Sequence, residues 1–95
     1  DWAQTQNNLG AALSVMGRAG DNDAARRAIA AYRAALEERR RERAPFQWAL
    51  TTDNLAQVEF ELGERTGEAA LLRSALINAE AALDEYRRLD AAPYI

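Results

Sequence analysis

Along this chain, stripe positions recur at steps of three and four, the spacing of one face of an α-helix. Ala3, Gln6, Leu9, Gly10, Leu13 and Met16 carry the first stripe. Gly17 and Gly20 break it, and Asp21 and Asp23 offer side-chain oxygens to the free N–H groups of a new helix start. Ala25, Ala28, Ile29, Tyr32, Ala35 and Leu36 form the second stripe. Pro45 closes that helix and suits the first turn of a third, where its missing N–H is not needed. Leu55, Val58 and Leu62 continue there, Gly63 and Gly67 mark a turn, and Leu72, Ala75, Leu76, Ala79, Leu83 and Tyr86 give the fourth stripe. The pattern predicts four helices, over residues 2–18, 22–43, 46–64 and 68–89. Short connections make neighbouring helices antiparallel.

The chain also repeats itself. Trp2-Ala3 recurs as Trp48-Ala49, and the same offset of 46 pairs Thr5 with Thr51, Asn8-Leu9 with Asn54-Leu55, and Gly17 with Gly63. After one inserted residue the offset is 47, pairing Arg26 with Arg73, Ala28 with Ala75, and Ala34-Ala35-Leu36 with Ala81-Ala82-Leu83. Two alanine-rich helices aligned by chance would share alanines, but not tryptophan, asparagine and glycine in one order. Repeat one is therefore placed at 2–44 and repeat two at 45–90. Pro93-Tyr94 follows Pro45-Phe46 by 48 residues, so a further unit is expected to begin over 91–95. The whole chain is expected to be one domain, cut from a longer array. Each unit is one helical hairpin, and the expected fold class is all-α, an αα-superhelix of two hairpins.

Composition agrees with helices. Apolar residues make up 48% of the chain, and alanine dominates them while Val, Ile and Phe are scarce. Alanine favours helix, and the scarce residues are those that strands prefer. At 95 residues the core is thin. A chain of this size buries only about 60–65% of the surface its unfolded form exposes. There is no cysteine and no histidine, which removes thiolate chemistry, the commonest general base and the commonest metal ligand. All twelve basic residues are arginine, a hint of a GC-rich bacterial genome, and the net charge is −3. A mildly acidic chain lacks the basic face that nucleic acid requires. No apolar run is long enough to cross a membrane and no signal-peptide pattern is present, so a cytoplasmic protein without membrane association is expected.

The spacing of these residues resembles the tetratricopeptide repeat, W-x₂-L-G-x₂-Y, then A-x₃-F, then P. Leu9-Gly10 matches the signature pair of the first helix, with Leu13 where the tyrosine stands. Ala28 and Tyr32 match A-x₃-F, and Pro45 closes the unit. In the second unit Leu55-Ala56 replaces Leu-Gly, Ala75 is kept, and Ala79 replaces the aromatic. A unit about 12 residues longer than the usual repeat resembles kinesin-light-chain-like arrays, and W-A-x-T-Q-x-N-L-G resembles long repeats in large bacterial multidomain proteins. The resemblance implies a protein-interaction scaffold rather than an enzyme. It implies a partner-binding face lined by the first helix of each unit: Gln4, Asn7, Asn8, Ala11 and Val15, then Leu50, Asp53, Asn54, Gln57 and Glu61. The arginines or lysines that hold a peptide's terminal carboxylate in some members are missing, so a neutral or basic peptide or helix is the expected partner. Further expectations are self-assembly through uncapped ends, or a regulatory array attached to an enzymatic or signalling domain elsewhere.

Each candidate residue has a plain structural reading as well. Asn8 and Asn54 either clamp a peptide backbone, since an amide both donates and accepts, or bond a neighbouring helix and hold the stack. Trp2 and Trp48 are expected as wedges between units more than as hot spots. Arg39, Arg40, Arg41 and Arg43 are expected to offset a helix dipole at its C-terminus rather than to bind phosphate. The serines, Ser14 and Ser74, have no histidine or cysteine to activate them, and the pairs Glu37-Glu38 and Asp84-Glu85 fit charged helix faces. No catalytic residue, cofactor or metal site is expected. Glu59 is the anomaly: it stands at the repeat position of Leu13, which faces the core. A wet edge is the expected place for it, because an unpaired buried carboxylate is costly. With two units and no polar cap, Trp2, Leu9 and Leu13 at one end, and Leu76, Leu83 and Tyr86 at the other, are expected to leave apolar surface open.

Overall fold

Four helices account for the fold: α1 (Trp2–Arg18), α2 (Asn22–Glu38), α3 (Pro45–Thr66) and α4 (Ala69–Ala91). They are seen in a computed structural model that describes residues 1–91. Residues 92–95, with the Pro93-Tyr94 pair of the expected further unit, lie outside the described residues. The class is all-α, with α1 packed on α2 and α3 on α4 as two hairpins. The second hairpin stacks on the first through α3, which meets α2 along its length and α1 more lightly. Among the described residues α4 packs against α3 and against no other helix. Such neighbour-only packing is what a one-dimensional stack of repeats produces. No described helix is long and apolar enough to cross a membrane.

The helix starts follow local chemistry. The Asp1 carboxylate accepts from the Gln4 N–H at 2.7 Å and the Asp21 carboxylate from the Ala24 N–H at 3.0 Å, each satisfying a donor that the first turn leaves free. Pro45 opens α3 without a side-chain cap. Gly67, in the left-handed region at φ 75°, ends α3 with its N–H on the Gly63 carbonyl.

The second helix is shorter than expected, ending at Glu38 instead of residue 43. Arg39 leaves helical geometry at φ −94°, ψ 99°, and residues 41–43 form a separate turn. Arg39 and Arg41 leave the helix path, and both are held by partners outside α2. The arginine run therefore does not sit on the last turn of a helix, contrary to the expectation. Arg39 instead reaches back to α1, donating to the Gln4 side-chain oxygen at 3.0 Å and pairing with Asp1 at 3.4 Å. Arg41 pairs with Glu85 at 2.6 Å and lies 4.8 Å over the Trp48 ring. These two arginines pin the inter-hairpin loop to both hairpins.

The core lies between the first hairpin and α3. Leu13, Ala24, Ala25, Ala28, Ile29 and Tyr32 meet Leu55, Val58 and Leu62, with Leu36 and Leu71 at the flanks. Small residues allow this closeness. A Cβ added at Gly17 would stand 2.9 Å from the Ala25 Cβ and 3.1 Å from its Cα, so α1 and α2 cross backbone to backbone there. At Gly10 the space belongs to the Tyr32 ring, 2.7 Å from such a Cβ.

The buried face of α1 is rotated from the expected stripe. Ala3, Gly10, Leu13, Ser14 and Gly17 are buried, whereas Leu9 and Met16 are 45% and 50% exposed. In α4, Ala75, Ala82 and Glu85 are buried, while Leu76 is 62% exposed and Leu83 also faces solvent. Leu13, expected among the open end residues, belongs to the core at 7% exposure. Tyr86 is half-buried, edge-on to Phe46 with ring centroids 6.2 Å apart. Trp2 is 54% exposed, and Trp48 is half-buried beneath Arg41.

Candidate functional site

The first-helix residues are brought onto neighbouring, parallel helices. Near their starts, the Thr51 hydroxyl of α3 donates to the Asn7 side-chain oxygen of α1 at 3.0 Å. Toward their ends, Arg18 of α1 donates to Glu61 at 3.4 Å and to the Gln57 side chain at 3.5 Å. Early meets early and late meets late, so α1 and α3 run in the same direction. Gln57 in turn donates to Asp53 at 3.3 Å, which links three of the α3 candidates into one polar row. On α1, Gln4 donates to the Asn8 side-chain oxygen at 2.8 Å. Ala11, Val15 and Leu50 are exposed, and Asn54 is half-buried without a side-chain hydrogen bond among the described residues. Arg18 did not figure among the candidates, because its reach across to α3 depends on how the hairpins stack and leaves no trace in local spacing.

Two carboxylates take positions that differ from the sequence expectation. Glu59 does not lie at a wet edge: it is fully buried. Its cost is met by three partners. One carboxylate oxygen accepts from the Ser74 hydroxyl at 2.6 Å and from Arg33 at 3.1 Å, and the other from the Asn78 amide at 2.8 Å. Ser74 and Asn78 are four residues apart on the face of α4 toward α3. The repeat offset of 47 sets Arg27 and Ala31 at those places in the first unit. The polar pair thus appears in the unit where glutamate replaces leucine, and that covariation is the signal by which sequence could have placed Glu59 inside. Ser74 donates its proton to a carboxylate that also receives an arginine, a closed structural network rather than an activated nucleophile.

Glu85, expected on a charged outer face, is covered by Arg88 and Arg41, both of which bond it. Hydrogen bonds first from Arg88 and then from Arg41 hold its carboxyl below the usual value of 4.5. A carboxyl lowered on folding contributes stability above its unfolded value and loses that contribution as pH falls through the lower folded value. In urea titrations from neutral pH to about pH 2, Glu85→Gln is therefore expected to flatten the acid loss of stability. An acid limb as steep as that of the wild type would refute this role.

A groove of about 490 Å³ opens between α3 and α4. It is lined by Ala56, Ala75 and Ala79, by the larger apolar side chains of Phe60, Leu72 and Leu76, and by the polar Asp53, Gln57 and Glu64. Phe60 is 50% exposed. Sequence reasoning placed Leu76 at an open end but assigned no groove here. No cluster of three or more carboxylates that could hold a metal ion occurs among the described residues.

Compared with known proteins, the chain matches no family model, no curated protein and no solved structure.

Proposed function

We propose that the chain is a protein-interaction module built from tetratricopeptide-like hairpins, and that α1 and α3 together present the face that holds a peptide or helix of a partner. One observation carries the reading. The ties that hold α1 against α3 are made by Asn7 with Thr51 and by Arg18 with Gln57 and Glu61, so the recurrent Asn8 and Asn54 are not spent on the stack. The Asn8 carboxamide keeps its donors, and Asn54 keeps a full donor and acceptor set, suited to the N–H and C=O groups of an extended chain. Exposed Ala11, Val15 and Leu50 supply apolar surface beside them. Exposed apolar side chains rimmed by polar ones are a surface that seeks a partner. Arg18 offsets Glu61, while Asp53 keeps the row acidic, which favours a neutral or basic peptide over an acidic one.

The test is selection of short random peptides on the immobilised chain, followed by affinity measurement on the Asn8→Ala, Asn54→Ala double variant. A loss of about tenfold, or ~1.4 kcal/mol, is expected with helix content unchanged. Equal affinity in the double variant would remove the two asparagines from the binding face.

A further inference from the structure

The internal repeat allows a comparison that the two hairpins could not give singly. The first hairpin presents a surface to α3, and the offset of 46 or 47 carries each of its residues to a counterpart on the second hairpin. Ser14 and Ile29, 6% and 5% exposed, become Phe60 and Leu76, 50% and 62% exposed, and Ile29 packs in the core with the leucines of α3. Gly10, Ala28 and Tyr32 become Ala56, Ala75 and Ala79, all of which line the groove. The groove between α3 and α4 is thus the position that α3 fills on the first hairpin, unfilled among the described residues.

The complementary surface is on the same chain. α3 seats on the first hairpin with Leu55, Val58 and Leu62, all buried, and with Thr51 donating to Asn7. The counterparts on α1 are Leu9, Ala12, Met16 and Thr5, and every one of them is exposed, as is Trp2 next to them. The chain therefore carries an uncovered seat at one end and an uncovered copy of the helix face that fits such a seat at the other. Polar chemistry matches as well: Asn7 becomes Asp53, an acceptor lining the groove, and Thr51 becomes Thr5, a hydroxyl donor.

We propose that the α3–α4 groove takes α1 of a second copy of this chain, so that copies stack head to tail with the same geometry that joins the two hairpins within one copy. The contact uses different patches on the two partners, so every dimer keeps one free seat and one free α1 face, and growth continues past the dimer. The groove shares Asp53 and Gln57 with the edge of the peptide-binding face, but its apolar seat lies on the α4 side of α3, and the proposal stands without peptide binding.

Complementation tests it. In a concentration series by sedimentation, the wild-type chain is expected to gain apparent mass at least twofold with no plateau at the dimer. Leu76→Glu blocks the groove and Leu9→Glu blocks the α1 face. Both side chains are exposed, so both variants keep their helix content. Each variant alone stays monomeric, and an equimolar mixture gives a dimer of one of each and nothing larger. Cysteine pairing supplies a second reading without apolar changes, since the chain has no cysteine of its own. Thr5→Cys mixed with Asp53→Cys, under mild oxidation, is expected to yield the mixed disulfide dimer in excess of either self-linked one. A wild-type chain that remains monomeric to millimolar concentration overturns the proposal and leaves the groove to a helix of another protein or a further unit of the same chain. Self-association that persists in Leu9→Glu overturns it too, because two copies then meet by another surface.

Discussion

Leu62→Ala is expected to cost about 3 kcal/mol, within the range for truncating a fully buried leucine. Met16→Ala, at the equivalent position of the first unit, is expected to change stability by no more than about 0.5 kcal/mol. Leu62 has no exposed surface and joins the core between the first hairpin and α3, whereas Met16 is 50% exposed. A domain of this size has roughly 5–14 kcal/mol to lose, at about 0.05–0.15 kcal/mol per residue. Leu62→Ala should therefore lower the urea midpoint by a large part of its value. Urea unfolding followed by circular dichroism in dilute solution measures both. Equal costs at the two sites would mean that the face of α1 is covered in solution as the face of α3 is.

Glu59→Ala is expected to destabilise the chain by about 3 kcal/mol, because two polar groups packed around the carboxylate are left unpaired at about 1–3 kcal/mol each. The Ser74 hydroxyl and the Asn78 amide lose their acceptor at once, while Arg33, more than half exposed, turns to water. The converse change should be mild. Glu59→Leu combined with Ser74→Ala and Asn78→Ala moves this cluster toward the first unit, which has Leu13 and Ala31 at two of the three places. Stability within about 1 kcal/mol of the wild type is expected, because replacing a satisfied buried pair by apolar groups is often nearly neutral. A triple variant as unstable as Glu59→Ala would show that the glutamate does more than satisfy its own neighbours. The Thr52 hydroxyl gives the contrast within the same helix: it is buried without a hydrogen-bond partner, and nothing around it offsets that loss.

Local chemistry wrote the helices and turns into the chain. The stripes, the Asp1 and Asp21 caps, Pro45 at a helix start and Gly67 past a helix end each act over a few residues, so each can be read without knowing what lies across the core. The register of the two hairpins was legible for the same reason, because tryptophan, asparagine and glycine recur in order. The shortened end of α2 was the local exception, where Arg39 and Arg41 bond α1 and α4 in place of a continued helix.

What tertiary structure alone decided is which copy of a shared pattern is buried. Leu9 and Leu55 stand at one repeat position, as do Met16 and Leu62, yet one member of each pair faces solvent and the other the core. Nothing within either helix distinguishes them; among the described residues, α3 has a hairpin stacked against it and α1 has none on the corresponding face. The same holds for Glu59, whose burial depends on Ser74, Asn78 and Arg33 arriving from two other helices, and for the candidate face, where Arg18 and Asn7 rather than Asn8 join α1 to α3. Burial is a property of what lies opposite a side chain, and in a stack of hairpins that is set by the neighbouring unit, not by the residue's own surroundings in sequence.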